Sequence, residues 1–128
     1  MKPDLEILKD LFGIYHYENM SEVPERIESP DFYSFTKTID EISIVCKQSA
    51  IKVSDKSIAD IDWKIIKIKG PLSLSLTGII AEITGVLWEI KVPVFTISTY
   101  KTDYILVKNE NIDKAITALE NNGYKILS

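Results

Sequence analysis

Cysteine and histidine are nearly absent from this 128-residue chain, Cys46 and His16 being the single examples. One thiol cannot close an internal disulfide, so the reducing cytosol is the expected compartment. One histidine and one cysteine cannot build a structural zinc site, and the carboxylates lack calcium-loop spacing. Neither a metal nor a cofactor is expected. No segment is long and apolar enough to span a bilayer, and the N-terminal Met-Lys-Pro-Asp-Leu-Glu lacks a signal-peptide core. A soluble, cytoplasmic protein with no membrane partner is expected. Positive charge is also scarce: 15 basic residues face 19 acidic ones, a formal charge of −4. A nucleic-acid partner would need a concentrated basic face. Lys64, Lys67 and Lys69 alternate with apolar residues and read as the solvated side of a strand.

Catalytic signatures are missing too. Cys46 sits in Ser-Ile-Val-Cys-Lys, a strand context in which a lone cysteine behaves as a small buried apolar residue. A Cys46–His16 pair is the one conceivable nucleophile and base, and nothing around it supplies further catalytic context. The chain is not expected to be an enzyme.

What is present is ordinary globular composition, 45% apolar and 27% charged, enough for one compact unit or two small ones sharing a core. Asp62 to Lys69 mixes apolar, basic and β-branched residues and predicts a strand. Gly70-Pro71 breaks it, and Ser73, Ser75 and Thr77 are candidate N-caps. From Leu76 to Ile90, positions Ile79, Ile80, Ile83, Val86, Leu87 and Ile90 follow helical spacing. Gly78 and Gly85 lower helix propensity but permit close packing, for instance against another chain. Pro93 ends the element. Val94 to Thr99 and Asp103 to Val107 predict a hairpin, and Asn109 or Asn111 caps a second helix to about Asn122. Its stripe is Ile112, Ala115, Ile116 and Leu119. Gly123 fits a C′ position, and Tyr124 to Leu127 a final strand. The order β-α-β-β-α-β is the split, ferredoxin-like arrangement.

The first half is less regular. Leu5 to Leu8 and Phe12 to Tyr17 read as strands, Ser21 to Ile27 as a short capped helix, and Phe32 to Thr38 with Glu41 to Lys47 as a hairpin. Val53 to Ile61 is polar and reads as irregular. The boundaries read as 1–61 for a smaller β-rich unit and 62–128 for the βαββαβ unit. No residue-level internal repeat is visible.

Two stretches carry candidate binding chemistry. The first is Gly70, Pro71 and Leu72 followed by Leu76, Thr77 and Gly78 at the helix start. Backbone amides at a helix N-terminus attract an anion, and Gly78 would let one approach closely. Its plain reading is an ordinary strand-to-helix connection. The second is Ser98-Thr99-Tyr100-Lys101-Thr102-Asp103. A hairpin turn accounts for its short polar residues without any ligand. The sharper reading gives Thr99, Thr102 and Asp103 to a ligand's ammonium or side chain, with Tyr100 covering its aliphatic part. A molecule carrying both charges is a free amino acid. On this reading Asp103 is a turn residue that contributes little to the core.

The whole stretch from Gly70 to Val107 resembles the amino-acid-binding regulatory modules called ACT domains. The Ser-Thr-aromatic-x-Thr-Asp-aromatic pattern around Thr99, Tyr100 and Asp103 is similar to that of the branch containing the cytosolic arginine sensors and many short bacterial proteins. The resemblance covers residues 62 to 127 well and 1 to 61 loosely. It implies an α+β fold: a ferredoxin-like βαββαβ ACT domain preceded by a degenerate, smaller ACT-like unit. It also implies a ligand at an ACT–ACT interface. The sensors use four units where this chain has at most two, so a complete pocket would need a second copy, and arginine is not implied.

The leading expectation is therefore a non-catalytic regulatory module that binds an amino acid, forms a homodimer and acts on an enzyme or other protein. The alternative is a ligand-free interaction module that dimerises and regulates a partner. Trp63, Trp88, Phe95 and Tyr104 would make an RNA platform on a ferredoxin-like sheet. The acidic balance favours core or dimer packing for them instead.

Overall fold

The computed structural model describes residues 2–52, 59–69 and 76–127. In chain order the elements are strands β1 (Leu5–Ile7), β2 (Phe12–Tyr17), β3 (Tyr33–Lys37), β4 (Ile42–Lys47) and β5 (Ala59–Ile68). Helix α1 (Leu76–Glu89), β6 (Val94–Ser98), β7 (Asp103–Lys108), α2 (Ile112–Asn121) and β8 (Ile126–Leu127) follow. The chain divides into a smaller unit, Asp10–Trp63, and a larger one made of Met1–Lys9 with Lys64–Ser128. β5 supplies strand to both.

From Lys64 to Leu127 the larger unit keeps the β-α-β-β-α-β order, a mixed α+β fold of ferredoxin-like type. Its strands pair in the order β6-β7-β5-β1-β8. The expected boundary at 61/62 assigns β1 to the first half. The strand instead pairs antiparallel with β5, Leu5 opposite Ile68, and parallel with β8, Leu5 opposite Ile126. Three residues cannot reveal their partners by periodicity, whereas burial does: Leu5 is fully enclosed in the larger core. That core joins Leu5, Ile66, Ile68, Ile105 and Val107 of the strands to Ile83 and Leu87 of α1 and Ala115 and Leu119 of α2. The stripe expected for α1 faces it, as do Ile112, Ala115 and Leu119 of the stripe expected for α2.

Helix ends follow local chemistry. Gly123 has φ +92° and closes α2, with Tyr124 N donating to Leu119 O at 3.1 Å, the C-cap expected for glycine. α1 ends the same way with Lys91 at φ +60° and Val92 N donating to Leu87 O at 3.0 Å. A lysine does there what the rule assigns to glycine, and Pro93 stands two residues on.

The smaller unit is strand-rich. β2 pairs with β4, and β4 with β3, both antiparallel, around Tyr15, Tyr17, Ile42, Ile44, Cys46 and Ile51. The helix expected over 21–27 is a 3-10 turn, Met20–Glu22. Pro24 lies inside the expected span and removes a donor there. Glu22 accepts instead from the backbone N–H of Glu18 and Asn19. β5 starts at Ala59, earlier than Asp62, and residues 53–58 of the expected irregular stretch lie outside the described residues. Between the pairs Phe12–Trp63 and Ile14–Asp60 the register slips by one. Asp62 takes up the bulge at φ +69°, held by Gln48, whose Oε1 accepts its N–H at 2.8 Å. Gly13 faces this bulge. A Cβ there would meet the Tyr15 ring at 2.5–2.6 Å, so only glycine lets the ring lie across the strand.

Candidate functional site

The site is built on the β6–β7 hairpin of the larger unit. Val94 pairs with Val107 and Ser98 with Asp103, which leaves Thr99 to Thr102 as the turn. Thr99 N donates to Thr102 O at 2.8 Å and Thr99 Oγ1 to the same oxygen at 3.1 Å. Thr102 N returns a bond to Thr99 Oγ1 at 3.4 Å. This is the local bonding that makes short polar residues good turn formers. Thr102 is nearly buried, and its hydroxyl donates to Ile68 O at 2.6 Å. The turn is thereby fixed to the end of β5.

Asp103 departs from the expectation of a turn residue with little part in the core. It is only 6% exposed and opens strand β7. The Ser98 hydroxyl donates to its Oδ1 across the strand pair. Among the described residues no cation lies within ion-pair distance of this carboxylate. Burying a charge is costly unless it is paired and hydrogen-bonded, and here one neutral donor meets it. Ser98 was outside the predicted set. Its signal was available, since a turn of residues 99 to 102 puts 98 opposite 103. Tyr100 stands fully exposed at the tip, beside Lys101.

The other half of the predicted site is only partly described. Gly70, Pro71 and Leu72 lie outside the described residues, and of Leu76 and Thr77 the helical backbone alone is given. Gly78 lies in the first turn of α1, and a Cβ added there meets nothing within 4 Å. Two surface hollows, of about 340 Å³ beside Ile90 and Thr117 and about 450 Å³ beside Trp88 and Pro93, include none of the predicted residues. Trp63 is buried, whereas Trp88 is 78% exposed on α1, which removes it from the core reading. Among the described residues no cluster of three metal-ligating side chains exists, and no helix is long and apolar enough to cross a membrane. The lone thiol of Cys46 is buried, and burial pushes it up to about 11, far from a nucleophile's range.

A larger unit with a polar hairpin tied to its central strand defines an α+β fold of ferredoxin-like type. A family model for the ACT domain matches residues 58–121, half of the chain. The chain belongs to the ACT domain family. A second model, for an N-terminal domain, matches residues 10–54. Among solved structures, an Agrobacterium tumefaciens protein is 29% identical with a TM-score of 0.86, over 99% of this chain and 93% of its own. Aspartate kinase of Clostridium acetobutylicum, described as an allosteric enzyme, is 15% identical with a TM-score of 0.67. That match covers 91% of this chain and 33% of the kinase. The Synechocystis aspartate kinase is 19% identical with a TM-score of 0.61, covering 99% and 28%. This chain thus spans about a third of these two kinases.

Proposed function

We propose that the chain is a non-catalytic regulatory module that binds a free amino acid, with the ligand held where ACT-like units of two copies meet. ACT domains bind small molecules such as amino acids and sit in regulated enzymes, which supports the general reading. The observation that carries the finer one is Asp103, a nearly buried carboxylate met by the Ser98 hydroxyl and by no cation among the described residues. An ammonium group would complete it through a charge-assisted hydrogen bond. The ligand's carboxylate would face the amides of residues 70–78, and Tyr100 would cover its aliphatic part. Thr102 would fix the turn, and the exposed Thr99 hydroxyl would offer a lone pair to the ligand. Binding would act by favouring one conformation or partner over another.

The test is a thermal-shift screen of the purified chain against the common amino acids, since a ligand that binds the native state raises Tm. One amino acid should stabilise the protein, and calorimetry should give an affinity weakened by about 1.5–3 kcal/mol in Asp103→Asn. If none raises Tm, or if Asp103→Asn binds as well as the parent, this reading fails. Light scattering checks the dimer separately, with a monomeric mass at tens of micromolar, an order-of-magnitude range for weak association, counting against it.

A further inference from the structure

The smaller unit carries eleven Asp and Glu against five Lys and Arg, a net charge of −6, while the larger carries eight against ten, a net of +2. Among the described residues the acidic unit also holds most of the exposed large apolar side chains. Tyr33, Phe35 and Ile39 are three of them, at 49%, 43% and 100% exposure, all on β3 or the tip of its hairpin. Among the described residues β3 pairs with β4 alone, so its outer edge is open.

The register says which groups that edge presents. Thr38 N donates to Glu41 O at 2.9 Å, which makes this a hydrogen-bonded pair. Antiparallel pairs alternate, so Thr36 with Ser43 and Ser34 with Val45 also exchange bonds. The backbone N–H and C=O of Tyr33, Phe35 and Lys37 therefore point outward, away from β4. The side chains of Tyr33 and Phe35 lie on the face of their partners Cys46 and Ile44, which are fully buried. The two rings thus continue the unit's core side onto an uncovered strand. Unprotected edges of this kind pair readily, and natural proteins usually blunt them with charge, proline or a bulge. β3 has neither proline nor bulge, and its one charge, Lys37, stands at its end. The carboxylates of Asp31, before the strand, and of Asp40 and Glu41, after it, have no ion-pair partner among the described residues.

We propose that the open edge of β3 binds an extended basic segment of a partner protein by strand addition. Main-chain bonds would come from Tyr33, Phe35 and Lys37. The two rings would cover the segment's alternate apolar side chains, and Asp31, Asp40 and Glu41 would meet its basic ones. Nothing in this inference depends on an amino acid binding near Asp103.

The experiment uses the full chain and a fluorescent peptide alternating Lys with Val, read by anisotropy. Two controls are a twin alternating Glu with Val and a Lys-Val peptide N-methylated at every second residue. The basic peptide should bind, more weakly with added salt, and the acidic twin should not. N-methylation and the double variant Tyr33→Thr/Phe35→Thr should each weaken binding by at least about tenfold, as loss of anchoring groups does. The N-methylated peptide leaves the protein unaltered, so it separates lost bonding from lost folding. No binding, equal binding of the acidic twin, or indifference to N-methylation would overturn the proposal. So would a dimer that the double variant dissolves, since a second copy would then own the edge.

Discussion

The Thr102 hydroxyl donates to the carbonyl oxygen of Ile68 at 2.6 Å, joining a hairpin turn to a strand 34 residues earlier. Ile68 is the last residue of β5, so the bond sets the turn beside the point where the chain leaves the strand toward residue 70.

Thr102→Val keeps the shape of the side chain and removes its donor. Because the residue is 3% exposed, the Ile68 carbonyl should be left without this partner, at a cost of about 1–2 kcal/mol. Thr102→Ser should retain most of that stability. Urea midpoints of the two variants decide the point, and equal midpoints would mean that the bond contributes nothing net.

A second network ties the N-terminus to both helices. Lys2 Nζ lies 2.8 Å from Glu82 Oε1 and 4.7 Å from the Tyr124 ring centroid, and donates to Asn122 O. Tyr124 Oη donates to the same Glu82 oxygen. The bond from Lys2, then that from Tyr124, hold the Glu82 carboxyl below its ordinary value of 4.5. A carboxylate with a depressed folded-state pKa contributes stability above its unfolded value, and that stability is lost as pH falls through the folded one. Below about pH 4.5 the parent should therefore lose stability more steeply than Glu82→Gln. The difference should be small and salt-sensitive, because Glu82 is half exposed. Denaturation midpoints between pH 6 and 3, a range set by ordinary carboxylate values, measure it. Parallel curves would mean that the network is not felt.

Cys46 is fully buried and its thiol is pushed up to about 11 by burial. Thiolate is the reactive form, so a disulfide reagent at neutral pH should leave the native protein unmodified and react when it unfolds. Fast stoichiometric reaction of the native chain would contradict the burial.

The sequence made most of the larger unit legible because its helices bury long stripes and its hairpin alternates cleanly. Ile83, Leu87, Ala115 and Leu119 declare their core face by spacing alone. β1 did not, because three residues hold no measurable period and its partners lie some sixty and one hundred and twenty positions away. The bulge at Asp62 escaped for a similar reason, since the Gln48 side chain that holds it comes from a distant turn. At the candidate site, the turn and its polar residues were readable. The burial of Asp103 was not, because it follows from the strands packed around residue 103 rather than from its neighbours in sequence.

Gly78 and Gly85 lie on α1 where an added Cβ meets nothing within 4 Å. Alanine is the better helix former by about 0.8–1 kcal/mol, so Gly85→Ala should stabilise the chain by up to that amount. If a second copy packs closely on this face, the same change should instead weaken the dimer. Thermal melts paired with light scattering separate the two, and a lower Tm with unchanged mass would contradict the open space at Gly85.

Asp103 offers the sharpest contrast between a structural and a ligand-directed role. Asp103→Ala takes the acceptor from the Ser98 hydroxyl, and because Ser98 is exposed and can turn to water, the lost bond should cost only about 0.5–1.5 kcal/mol. Asp103→Asn keeps an oxygen for Ser98 and removes a buried charge that no cation among the described residues offsets. Its stability should stay within about 1 kcal/mol of the parent, since the lost charged bond and the relieved desolvation oppose each other. The asparagine variant is therefore the one that isolates binding from folding. If Asn destabilises the chain as much as Ala does, the negative charge is itself part of what holds the hairpin. A cation supplied by the protein would then be its partner, and the case for a ligand's ammonium at this carboxylate would lose its basis.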